Sequence, residues 1–73
     1  MSIEVKSQMT GSVWKITTNV GEEVEENQEV VILESMKMEI PILAPEDGVV
    51  EEILIKEEDF VSEGEIVIKL REK

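Results

Sequence analysis

Few side chains in this 73-residue chain could do chemistry, and one of them, Lys37, stands out by its setting. It lies near the midpoint, in the run Ser35-Met36-Lys37-Met38. The chain has no histidine and no cysteine, and no serine has a plausible base partner. The usual groups for activating a nucleophile are therefore missing. An ordinary lysine is protonated near neutral pH and attacks poorly. Forming an amide at its ε-nitrogen takes an activated acyl donor and a base, so another protein must supply both. What this chain can offer is display: an amine held away from the body of the protein, where a separate enzyme can modify it.

The flanking residues are of the kind that would hold it there. Val30-Val31-Ile32-Leu33 leads in as a strand-forming run, and Glu39-Ile40-Pro41-Ile42 leads out with apolar residues on alternate positions. This predicts a hairpin with Lys37 at its tip. Further strand candidates are 3–6, 13–17, 49–55 and 66–70, with the hairpin strands at 30–33 and 38–43. Short extended pieces around Val24 and Val61 complete the count. Gly11, Gly21, Gly48, Gly64 and the stretch Ala44-Pro45-Glu46-Asp47-Gly48 mark turns. No window shows a sustained helical repeat, so an all-β domain is expected. Pro41 removes a backbone donor and assigns its strand to an edge or an unpaired ladder position.

The two halves of the chain also resemble each other. A shift of 37 positions lays Gly11 on Gly48, Val13 on Val50, Ile16 on Ile53, Val24 on Val61, Val30 on Val67 and Leu33 on Leu70, with no gap. Asn27 falls on Gly64, and both types tolerate left-handed backbone. Each copy is too small to bury its own apolar face, so the two should pack face to face. Gly11 and Gly48 are expected at equivalent tight turns.

Composition sets limits on what such a domain can be. Hydrophobic residues make up 41%, but the aromatics are only Trp14 and Phe60, so the core must rest on valine, isoleucine and leucine. Trp14 is expected as a packing anchor. Without cysteine there are no disulfides and no thiolate metal sites. Eighteen acidic residues against seven basic leave a formal net charge of −11, which nucleic-acid phosphates would repel. The acidic clusters lack the Asp-x-Asp-x-Asp-Gly spacing of a calcium loop and are taken as solvated surface. No charged, apolar leader opens the chain, and the longest aliphatic run is four residues. The sequence is expected to be one complete cytoplasmic domain, 1–73, without a membrane partner.

Glu34-Ser35-Met36-Lys37-Met38-Glu39 between Gly-x-Val half-repeats resembles the biotinyl/lipoyl attachment domain family. The likeness runs from about residue 9 to residue 70 and is greatest to its small free-standing bacterial members and its biotin carboxyl carrier domains. Ser35 stands where many members have alanine. The gapless repeat leaves no room for the inserted thumb loop of some carrier subunits. The resemblance implies a flattened barrel of two four-stranded antiparallel sheets with pseudo-twofold symmetry, the attachment turn at one end and the termini at the other.

It also implies a biotin acceptor and carboxyl carrier that is not itself an enzyme. Lys37 would receive biotin from a biotin protein ligase, and Met36 and Met38 would be read by that ligase. Two methionines straddling a turn do not both point inward easily, which favours recognition over core filling. Glu34 and Glu39 are taken as solvated. The implied partners are biotin carboxylase and carboxyltransferase components, where the ureido ring is carboxylated at one site and discharged at another. A monomer is expected. The nearest alternative is a lipoyl carrier, or an acceptor of both groups, served by a lipoyl ligase or transferase. Lipoyl domains present Asp-Lys-Ala at the turn, so the methionines favour biotin. An unmodified β-sandwich adaptor is the alternative from another class.

Overall fold

The computed structural model describes residues 2–72, which form eight strands and no helix. In chain order these are β1 (Ser2–Lys6), β2 (Gly11–Ile16), β3 (Glu23–Val24), β4 (Glu29–Ser35), β5 (Met38–Leu43), β6 (Gly48–Ile53), β7 (Phe60–Val61) and β8 (Ile66–Arg71). All pairings are antiparallel, in two four-stranded sheets ordered β1-β8-β6-β3 and β5-β4-β2-β7. Every strand candidate of the sequence is present, with ends moved by one or two residues. β5 is an edge strand, as Pro41 requires.

The 37-residue shift holds down to individual hydrogen bonds. It carries β1 to β4 onto β5 to β8, and the second sheet order onto the first. Each half repeats the same irregularities: Trp14 is the extra residue of a bulge between β2 and β4, and Glu51 is the extra residue between β6 and β8. Val30 and Val67 are skipped in the β4–β5 and β1–β8 ladders in the same way. The bonds that tie one half to the other are also duplicated. Val13 N–H donates to the Asp59 carbonyl at 2.7 Å, and Val50 N–H to the Glu22 carbonyl at 2.9 Å. Asn27 (φ 70°) and Gly64 (φ 87°) both adopt left-handed backbone, as their pairing in the repeat suggests.

One apolar cluster fills the space between the sheets, and most of its members come in symmetric pairs. Val13 and Val50, Val24 and Val61, Val30 and Val67, and Leu33 and Leu70 are all buried. Fully burying an aliphatic side chain of this size contributes about 1.5–3 kcal/mol, so neither half could supply enough alone. Thr18 breaks the pairing. It is buried, its mate is the apolar Ile55, and its hydroxyl has no partner.

Two expectations need correction. Gly11 and Gly48 are equivalent but are not turn residues; they open β2 and β6, and neither is among the residues with positive φ. They are required because a neighbouring strand comes too close. A Cβ at Gly11 would lie 2.8 Å from the Glu34 carbonyl oxygen, and one at Gly48 2.9 Å from that of Arg71. Trp14 is not a core anchor either: it follows the inward Val13 in β2, faces outward and is 47% exposed. The core does rest on aliphatic residues, for Phe60 is exposed too.

Candidate functional site: the β4–β5 tip

The tip is built on a rigid base. β4 is an inner strand, held on one side by β2 and on the other by β5, and its Val31 and Leu33 are fully buried. The ladder between β4 and β5 runs unbroken from Val31↔Ile42 to Ser35↔Met38, leaving Met36 and Lys37 as a two-residue loop. Both have positive φ, 52° and 63°. That is the pattern of a type I′ hairpin turn, whose twist matches the flanking strands. Asparagine and glycine usually occupy such loops, because the left-handed region costs other L-residues roughly 1–2 kcal/mol each. Two successive side-chain-bearing residues held there mark strain concentrated at one point, a common property of functional positions.

This strained loop carries its side chains into solvent. Met36 is 92% exposed and Met38 64%, so neither fills the core. Lys37 is exposed, and among the described residues its Nζ takes part in no hydrogen bond or ion pair. The structure therefore brings Met36, Lys37 and Met38 together at one protruding end. Just behind them Glu34 and Glu39 are directly paired across the strands, two like charges that a purely structural hairpin would avoid. Among the described residues no three acidic side chains gather as a metal site would need. The fold's twofold relation carries the base of this tip, the pair Glu34 and Glu39, onto the pair Arg71 and Ser2 of β8 and β1.

A group attached through an amide would fit here. The amine is unencumbered, and nothing of the protein would have to move to admit it.

The sequence reading missed the outward face of the same sheet. Trp14, half-buried Ile32, Pro41 and Phe60 lie on it, with the Lys15 ammonium 5.9 Å from the centre of the Trp14 ring. The signal was present in the repeat, where the 37-residue shift sets these apolar residues against charged ones.

Comparison with known proteins adds an independent line. Residues 3–70 match the biotin/lipoyl family model described as "Biotin-requiring enzyme". The chain is 52% identical over 66 residues to the biotin/lipoyl attachment protein of Bacillus subtilis, covering 90% of each. It is 40% identical over 62 residues to the biotin carboxyl carrier protein of Streptococcus mutans, covering 85% of this chain and 48% of that one. Among solved structures, Kluyveromyces lactis urea carboxylase superposes with a TM-score of 0.92 at 35% identity, over 97% of this chain and 6% of the larger one.

Proposed function

The chain belongs to the biotin/lipoyl attachment family, and on that premise we propose that it is a biotin acceptor and carboxyl carrier with Lys37 as its attachment residue. It is a carrier that separate enzymes modify and use. The observation that carries the proposal is the placement of Lys37: one free amine on a strained, solvent-facing loop that stands on an inner strand. Biotin protein ligase would present the acyl group as its adenylate. The Nζ–acyl bond forms as the acyl–phosphate bond breaks, AMP leaves, and the amine's proton passes to a base of the ligase. Bound biotin supplies a ureido nitrogen that can take up and release a carboxyl group.

The remaining work is done by this chain's own residues. The β4–β5 ladder fixes the direction in which Lys37 leaves the body. The side chain gives reach, and the tether raises the effective concentration of its cargo at each partner site. The family likeness to carboxylase domains supports carboxylase components as those partners. Met36 and Met38 offer the ligase two exposed apolar contacts beside the amine. Lipoylation of the same lysine is the second reading, and it rests on the shared fold.

The test is intact mass and peptide mapping after expression with biotin and lipoyl ligases and both cofactors. Biotin on Lys37 is expected, and Lys37→Arg should remain unmodified, because a guanidinium stays protonated and is no acyl acceptor. Thermal unfolding of the variant should match wild type within about 0.5 kcal/mol, as for other surface changes. Biotin on Lys15, Lys56 or Lys69 would overturn the assignment, a lipoyl mass would favour the second reading, and an unmodified chain would favour an adaptor.

A further inference from the structure

The two sheets have the same backbone and the same inward residues, yet their outward faces differ in kind. On the sheet that carries Lys37, outward positions hold Trp14, Ile32, Pro41 and Phe60. The symmetry mates on the other sheet are Glu51, Lys69, Glu4 and Glu23, all charged. Because the mates occupy equivalent positions of equivalent strands, charge is compatible with the fold at every one of them. Trp14 and Phe60, 47% and 67% exposed, are therefore not where they are for the sake of folding. Exposed aromatic residues gathered on one face of a small acidic protein are characteristic of contact surfaces.

We propose that this outward face of the β5-β4-β2-β7 sheet is the surface by which the enzyme that acylates Lys37 holds the domain. The inference rests on Lys37 being the acylated residue. Continuity with the tip argues for that occupant. Phe60 is paired with Ser12, Ser12 with Glu34, and Glu34 lies next to Ser35 at the base of the loop. Ile32 is three residues from Ser35, about 10 Å along the strand at ~3.3 Å per residue. A standard interface covers ~800 Å² of each partner, a disc reaching roughly 16 Å from its centre. An enzyme that encloses the Lys37 amine with a contact of ordinary size would extend across this face.

Charge specifies the chemistry of the partner surface. The apolar residues are bordered by Glu34, Glu39 and Asp59, on a chain of net charge −11. The matching surface has an apolar hollow for Trp14 and Phe60 ringed by lysine or arginine. A second copy of this chain would set those carboxylates against their own kind, and is disfavoured for that reason.

The test exchanges the two aromatic residues for those of their mates, Trp14→Glu with Phe60→Glu, and follows biotinylation by the biotin ligase of the same organism. KM is expected to rise at least about tenfold, as truncating aromatic anchors in an interface does, with kcat unchanged. Wild-type KM should rise with salt as the charged border is screened. Glu4→Ala with Glu51→Ala, on the opposite face, should leave KM within twofold. Should the double variant melt below the assay temperature, Phe60→Glu alone gives the same readout at an exposed position. A folded variant with KM within twofold of wild type would overturn the proposal. So would a wild type that self-associates through this face in sedimentation while its variant keeps normal KM. A wild type that takes no acyl group on Lys37 would instead overturn the attachment proposal, and this inference with it.

Discussion

The sheet that carries Lys37 and the sheet that carries the chain termini are two versions of one object. Ladder registers, bulges, left-handed positions and the bonds between halves are repeated from one to the other at a constant 37-residue shift. Buried positions follow the repeat closely, and exposed ones depart from it. At the tip, Met36 and Lys37 are two successive residues with left-handed backbone, whereas elsewhere in the described chain such residues occur singly, at Gly21, Asn27, Glu58 and Gly64. On the outward faces, aromatic and aliphatic residues stand opposite charged ones. The core must fill one shared space at crystal-like density, so each half constrains the other. The exterior carries no such requirement, and differences there reflect what each side meets.

The strongest way to break this comparison is at the glycines. Gly11→Ala and Gly48→Ala should each destabilise the domain by about 1–3 kcal/mol, the usual range for overpacking, because the added carbon meets a backbone oxygen that cannot turn aside. Urea unfolding should give similar losses for the two variants. A loss at only one of them would show that the halves are not mechanically equivalent.

The tip gives the next largest effect, and on function alone. Met36→Asp with Met38→Ala writes the lipoyl-type turn onto this hairpin. Biotinylation should slow by about tenfold, equivalent to about 1.4 kcal/mol of lost contact. Lipoylation should hold or rise, and thermal unfolding should barely move because both methionines are exposed. Unchanged biotinylation kinetics would mean the ligase reads the hairpin's shape and position, leaving the methionines incidental.

The smallest effect sharpens the comparison at an interior exception. Thr18 is buried with an unpartnered hydroxyl where its mate is Ile55. Thr18→Val keeps the shape and removes the unsatisfied group, and should raise stability by about 1 kcal/mol in urea. A destabilised variant would show that the hydroxyl has a partner, such as an ordered water, that valine cannot replace.

The sequence by itself determined the eight strands, the duplication and the position of the lysine. Alternating apolar residues, turn-forming types and a gapless repeat are all read along one chain, and each reflects a local preference. The exposure of Met36 and Met38 was legible in the same way, since both neighbour the lysine at the tip of the hairpin. Tertiary structure alone decided what depends on two strands meeting. Gly11 looked like a turn glycine until β4 brought the Glu34 carbonyl against it. Trp14 looked like a core anchor by its aromatic bulk, yet alternation from the inward Val13 sets it on the outer face. What one extra residue in β2 relative to β4 decides is the pair that follows, setting Lys15 outward beside Ile32 and Ile16 inward beside Val31, and such a bulge exists only in the pairing of the two strands.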